Sequence, residues 1–128
     1  MYKITFFGDS AQLAENLFFN SNFKLKVIFC EKNKINPDLL TFSFLRNIPI
    51  RKVENNTEII AAIDEFKLDF AIMFGFGIIL DEETLNKIKV FNIHTGKLPN
   101  YRGRHPTYFA TINGDKSIFF TLHEVTVK

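Results

Sequence analysis

Asp69-Phe70-Ala71-Ile72-Met73-Phe74 is the stretch on which the fold turns, and Gly75-Phe76-Gly77 ends it. Its apolar residues fall on both faces, as they do on a central strand covered by helices from either side. Just upstream, Asn55 followed by Glu58 resembles a capping box, and Ile59, Ile63 and Phe66 then line one helical face. Just downstream, Asp81 caps a short acidic helix to about Ile88, with Glu82 and Glu83 suited to its positive end. Val90 to His94 reads as the next strand.

Further out, the alternation continues. Ile4 to Phe7 is an apolar run stopped by Gly8-Asp9-Ser10, and Leu13, Ala14, Leu17 and Phe18 recur at helical spacing. Leu25 to Cys30 is a second strand, and Asn36-Pro37-Asp38 starts a helix with a cap, a proline and an acid in order. Ile48 to Val53 predicts a short third strand. Beyond His94, a loop carries Gly96, Pro99 and Gly103, Pro106 to Ile112 reads as helix, and Asn113-Gly114-Asp115 as a turn. Ile118 to Val127 predicts a long final strand. Strand and helix alternating in this way mean an α/β fold, a mostly parallel sheet with helices on both faces. Ligands of such sheets bind beyond the carboxyl ends of the strands, near the point where strand order reverses. That rule selects Gly8 to Ser10, Gly75 to Leu80, and Asn92 to His105.

The 128 residues support one domain, 1–128. With 46% hydrophobic residues and 16 Phe, the chain has ample material for a core, and disorder is excluded. Cys30 is the single cysteine, which excludes disulfide scaffolds and Cys-based zinc sites; no metal is expected. A net charge of +2, spread along the chain, does not mark a nucleic-acid binder. The longest apolar run, Phe70 to Leu80, is well short of the ~20 residues a membrane span needs. The apolar start is too brief for a signal peptide, so a cytoplasmic setting is expected.

The sharpest chemical constellation is Asn92-Ile93-His94. The two polar residues flank Ile93 and so face one side of a strand at its end. A carboxamide beside an imidazole suits acyl transfer: the amide donates to a developing oxyanion, and the imidazole moves a proton. Taken alone, such a pair is more often two side chains satisfying loop backbone, since the pattern is common. The basic, Pro- and Gly-punctuated loop Lys97 to Pro106 fits an anionic substrate or an ordinary solvated loop.

The order Asn92-Ile93-His94, Leu98-Pro99, Tyr101-Arg102-Gly103, Asn113-Gly114 and Thr121-Leu122-His123 resembles the formyltransferase family. That family includes glycinamide ribonucleotide transformylase, methionyl-tRNA formyltransferase and sugar N-formyltransferases. The likeness covers residues 70–128 by motif and the earlier part by pattern. It implies a Rossmann-like fold, that of a formyltransferase N-terminal domain, and transfer of a formyl group from 10-formyltetrahydrofolate to an amine. It further implies that Asn92 and His94 are catalytic. Gly75, Phe76, Gly77, Ile78, Ile79 and Leu80 match the loop that offers its backbone to the folate pteridine. His123 matches a histidine near the site, and Lys97, Tyr101, Arg102, Arg104 and His105 fall where substrate is held.

The resemblance also has departures. The family's third catalytic group, an Asp, falls just beyond Lys128, so the domain is expected to be incomplete at its C-terminus and this chain inactive or impaired. Gly8-Asp9-Ser10, with one glycine and an acid, is a poorer phosphate nest than a glycine-rich turn. Thr95-Gly96 and Phe119-Phe120 depart from the family's usual residues. Arg104-His105-Pro106 is most similar to the sugar N-formyltransferase branch, which implies a nucleotide-linked amino sugar as substrate, with a homodimer as an open partner. The alternatives are a methionyl-tRNA or glycinamide ribonucleotide acceptor, or a non-catalytic formyltransferase-like domain. A dinucleotide module is disfavoured, because no G-x-G-x-x-G follows the first strand.

Overall fold

The computed structural model describes residues 1–95 and 120–127. In chain order the elements are β1 (Tyr2–Gly8), α1 (Ala11–Phe19), β2 (Phe23–Glu31), α2 (Pro37–Arg46), β3 (Ile50–Val53), α3 (Asn56–Phe66), β4 (Phe70–Phe74), α4 (Glu82–Lys87), β5 (Lys89–Thr95) and β6 (Phe120–Glu124). They form one sheet in the order β3-β2-β1-β4-β5-β6. Every pairing is parallel except β5 with β6. The chain builds outward from β1 to β3, then crosses to the other side of β1 to place β4. The reversal therefore lies between β1 and β4, whose carboxyl ends are Gly8 and Phe74.

Two apolar layers hold the sheet. On one face Ile4, Phe6, Ile28 and Ile72 pack beneath Ala14 and Leu17 of α1 and Leu39 and Phe42 of α2. On the other, Phe7, Val27, Phe29, Met73 and Val90 pack beneath Ile59 and Ile63 of α3, with Leu85 of α4 at the margin. Phe7 and Phe29 are wholly buried and meet edge-to-face at 4.9 Å, a geometry that adds to their area burial. β4 is covered on both faces, as its two-sided apolar pattern predicts.

The helix starts follow from their caps. Ser10, Asn36, Asn55 and Asp81 each accept a backbone N–H of the first turn with a side-chain oxygen, a contact worth about 1 kcal/mol apiece. The box at α3 differs from the reciprocal form. Asn55 Oδ1 accepts from Glu58 N at 3.0 Å, but Glu58 Oε1 reaches past the cap to Glu54 N at 3.0 Å.

β2 contains a register shift. Ile4 stands opposite Leu25 and Thr5 opposite Val27, so Lys26 is the extra residue. At that point the buried Thr5 hydroxyl donates to Val27 O at 2.7 Å. The third strand is shorter than expected: it starts at Ile50, because Pro49 has no N–H for the ladder, although its carbonyl still accepts from Ile28 N. The last strand ends at Glu124 rather than Val127. Val125 N bonds to Val90 O and its side chain turns onto the α3 face. The helix expected over Pro106 to Ile112, the turn at Asn113-Gly114-Asp115 and the start of the final strand at Ile118 lie outside the described residues.

Candidate active site

The strand-order reversal opens a crevice past Gly8 and Phe74. β5 brings its own end to the same edge. Val90 and Met73, which is paired with Asn92, lie on the α3 face, while Phe91 and Ile93 belong to the α1 face. Alternation therefore places Asn92 and His94 together on the α3 side. Phe76, Ile78 and Leu80 pack against that same layer. The structure thus brings Asn92, His94 and the Gly75–Leu80 segment to one face at one edge of the sheet.

β6 adds a group there. Asn92 stands opposite His123 in the antiparallel ladder, with Asn92 Nδ2 3.4 Å from His123 Nε2. His123 Nδ1 lies 3.3 Å from Glu124 O. The two contacts agree on one tautomer: Nδ1–H donates to the carbonyl, and Nε2 accepts from the carboxamide. That arrangement turns the Asn92 amide nitrogen toward His123 and leaves its second N–H for another acceptor. On the opposite face, an open cavity of about 500 Å³ lies between α1 and the ends of β4, β5 and β6. Leu13, Phe74, Ile93 and Leu122 form its apolar walls, with Ser10 at one side.

The Gly75–Leu80 segment leaves β4 with φ +65 at Gly75. Phe76 stacks at 5.3 Å on Phe7, which ties the segment to the core. Ile79 is 88% exposed, an apolar side chain held out in solvent. Among the described residues, no hydrogen bond takes up the N–H of Ile78 or Leu80. Free backbone donors beside an apolar surface fit a flat, hydrogen-bonding heterocycle such as a pteridine. Sequence reasoning passed over two residues that touch this segment, Glu31 and Asn56. Glu31 ends a strand at the ligand edge, and only that position hinted at it. Lys97, Tyr101, Arg102, Arg104 and His105, expected to hold substrate, lie outside the described residues.

Cys30 sits beneath Gly8, where its thiol donates to Gly8 O at 3.2 Å. Burial, then Asp9 and Glu31, push it up to about 12. It is a structural thiol and not a nucleophile. At α4, the Thr84 backbone N–H holds the Asp81 carboxyl below its usual range.

A six-stranded sheet whose order reverses beside this segment, with an Asn and a His at the neighbouring strand end, defines a Rossmann-like α/β ligand-binding domain. The family model described as formyl transferase matches residues 22–128, and the chain belongs to that family. The family's formyl donor is 10-formyltetrahydrofolate. The chain is 29% identical to the methionyl-tRNA formyltransferase of Mycoplasma genitalium, in a match covering 100% of this chain and 45% of that one. It superposes with a TM-score of 0.83 and 22% identity on the phosphoribosylglycinamide formyltransferase of Anaplasma phagocytophilum, covering 99% of this chain and 66% of that one. A formyltetrahydrofolate deformylase from Pseudomonas syringae gives 0.80 at 21% identity, over 98% of this chain and 46% of that one. These likenesses carry the fold. The chain spans less than half the length of the methionyl-tRNA formyltransferases it matches.

Proposed function

We propose that this domain carries the formyl-transfer centre of an enzyme that formylates a primary amine. The observation that carries the reading is the placing of Asn92 and His94 on the face shared with Gly75–Leu80, with His123 against the Asn92 amide. The backbone of Ile78 and Leu80 would hold the pteridine, and 10-formyltetrahydrofolate supplies the formyl carbon. Asn92 donates an N–H to the carbonyl oxygen as it takes on negative charge, a role in which a preorganised donor acts most strongly. His94 takes the proton from the attacking amine and returns one to the leaving nitrogen.

Two acceptors have specific support. Methionyl-tRNA is favoured by the Mycoplasma genitalium relative, whose match runs the whole length of this chain. A nucleotide-linked amino sugar is favoured by Arg104-His105-Pro106, and Gly8-Asp9-Ser10 argues against a bare phosphate at the first turn. The test is single-turnover formyl transfer from 10-formyltetrahydrofolate to methionyl-tRNA and to a panel of nucleotide-linked 3- and 4-amino sugars. It is run with this chain and with a chain extended to the length of its relatives. The reading expects one acceptor to be formylated and His94→Ala to lower the rate by ~10²–10⁴. An active protein indifferent to loss of both Asn92 and His94 would place the chemistry elsewhere.

A further inference from the structure

We infer that Glu31 and Asn56 are positioning residues that hold the Gly75–Leu80 segment in the shape that receives the formyl-folate. The inference rests on the cofactor reading above. Glu31 ends β2 and is 21% exposed at its side chain. Its Oε2 accepts from Gly77 N at 3.0 Å, while Lys34 stands 3.8 Å from Oε1. A carboxylate gripping a backbone N–H is among the stronger hydrogen bonds a side chain makes.

Asn56 grips the other end. Its Nδ2 donates to Ile79 O at 2.9 Å, and its Oδ1 accepts from Asp81 N at 3.0 Å and from Thr84 Oγ1 at 2.8 Å. Thr84 is itself fully buried. One carboxamide thus fixes the exit of the segment to α4 and to the first turn of α3 together. The groups taken belong to Gly77, Ile79 and Asp81, and the N–H groups of Ile78 and Leu80 stay without a partner among the described residues. The anchors therefore decide which backbone groups are left to a ligand.

The same contact bears on Gly77. A Cβ there would stand 2.7 Å from Glu31 Oε1, so a larger residue requires the carboxylate to shift from the position in which it accepts from Gly77 N. Neither Glu31 nor Asn56 reaches the reacting atoms in this scheme; both act through the segment.

The experiment titrates the 128-residue chain with 5-formyltetrahydrofolate, a stable formyl-folate, by calorimetry, alongside thermal melts. Glu31→Ala and Asn56→Ala are each expected to weaken binding by about tenfold. Glu31→Ala should still melt in a single cooperative transition, which shows that its weaker binding is not loss of the fold. Glu31→Gln keeps an oxygen acceptor for Gly77 N and should restore binding to within about threefold of wild type. Gly77→Ala should match Glu31→Ala, with no added loss in the double variant. This arm also decides the matter if Asn56→Ala does not fold. Wild-type binding in Glu31→Ala and Gly77→Ala would overturn the inference, and so would a Glu31→Gln variant as weak as Glu31→Ala. Failure of the wild-type chain to bind the folate is a separate result: it overturns the cofactor reading, and the inference goes with it.

Discussion

Replacing Gly8 with alanine tests the crossover geometry most directly. Gly8 closes β1 opposite Phe74, immediately before the segment proposed to receive the cofactor. A Cβ at Gly8 would lie 2.4 Å from Phe74 O and 2.7 Å from Cζ of Phe6, at φ +157. Real Cβ contacts stay beyond 3.0 Å, so β1 and β4 would have to part by about 0.6 Å. The obstacle is backbone, and β1 is clamped between β2 and β4, so no side chain can rotate away to relieve it. Overpacking of this kind, with added backbone strain, costs about 2–4 kcal/mol. At ~2.1 cal/mol/K of unfolding entropy per residue, each kcal/mol is about 4 °C for a chain of this length, so Tm should fall by about 8–15 °C. Circular dichroism melts at fixed concentration measure it. Gly75→Ala is the control: its Cβ meets nothing within 4 Å, and only the φ of +65 opposes it, a cost of about 1 kcal/mol. A Gly8→Ala protein that melts within about 2 °C of wild type, or no lower than Gly75→Ala, would refute the close approach of β1 and β4.

Other consequences are as direct. Thr5→Val keeps the shape of a buried residue but leaves Val27 O without the hydroxyl at the register shift; chemical denaturation should show a loss of about 1–3 kcal/mol. Asn55→Ala removes the cap on α3 and should cost about 1 kcal/mol, with Asn55→Asp near neutral in the same assay. The Cys30 thiol, raised from 9.0 to about 12 in the folded chain, should resist alkylation at pH 9 until the protein unfolds. Because the fold holds that proton more tightly than the unfolded chain does, the thiol leaves stability untouched below pH 9 and erodes it from there to about 12. Cys30→Ala, measured over the same range, should show a flatter alkaline limb.

Local patterns in the sequence determined a good part of this protein. The two-sided apolar run at Phe70–Phe74 announced a central strand, because only a sheet covered on both faces buries such a run. Asn36, Asn55 and Asp81 marked helix starts, because a cap is satisfied within its own first turn. Asn92 and His94 could be placed on one face by the period of a strand alone. Relations between distant segments were decided only by the tertiary structure. The reach of Glu31 to Gly77, the clamp of Asn56 on Ile79, Asp81 and Thr84, and the meeting of Asn92 with His123 each join separate elements. No periodicity encodes such pairings: they exist because the sheet order puts β2 and β4 on either side of β1 and folds β6 back along β5. The face carrying the apolar cavity was hidden for the same reason, since Leu13, Phe74, Ile93 and Leu122 become neighbours only when four elements converge.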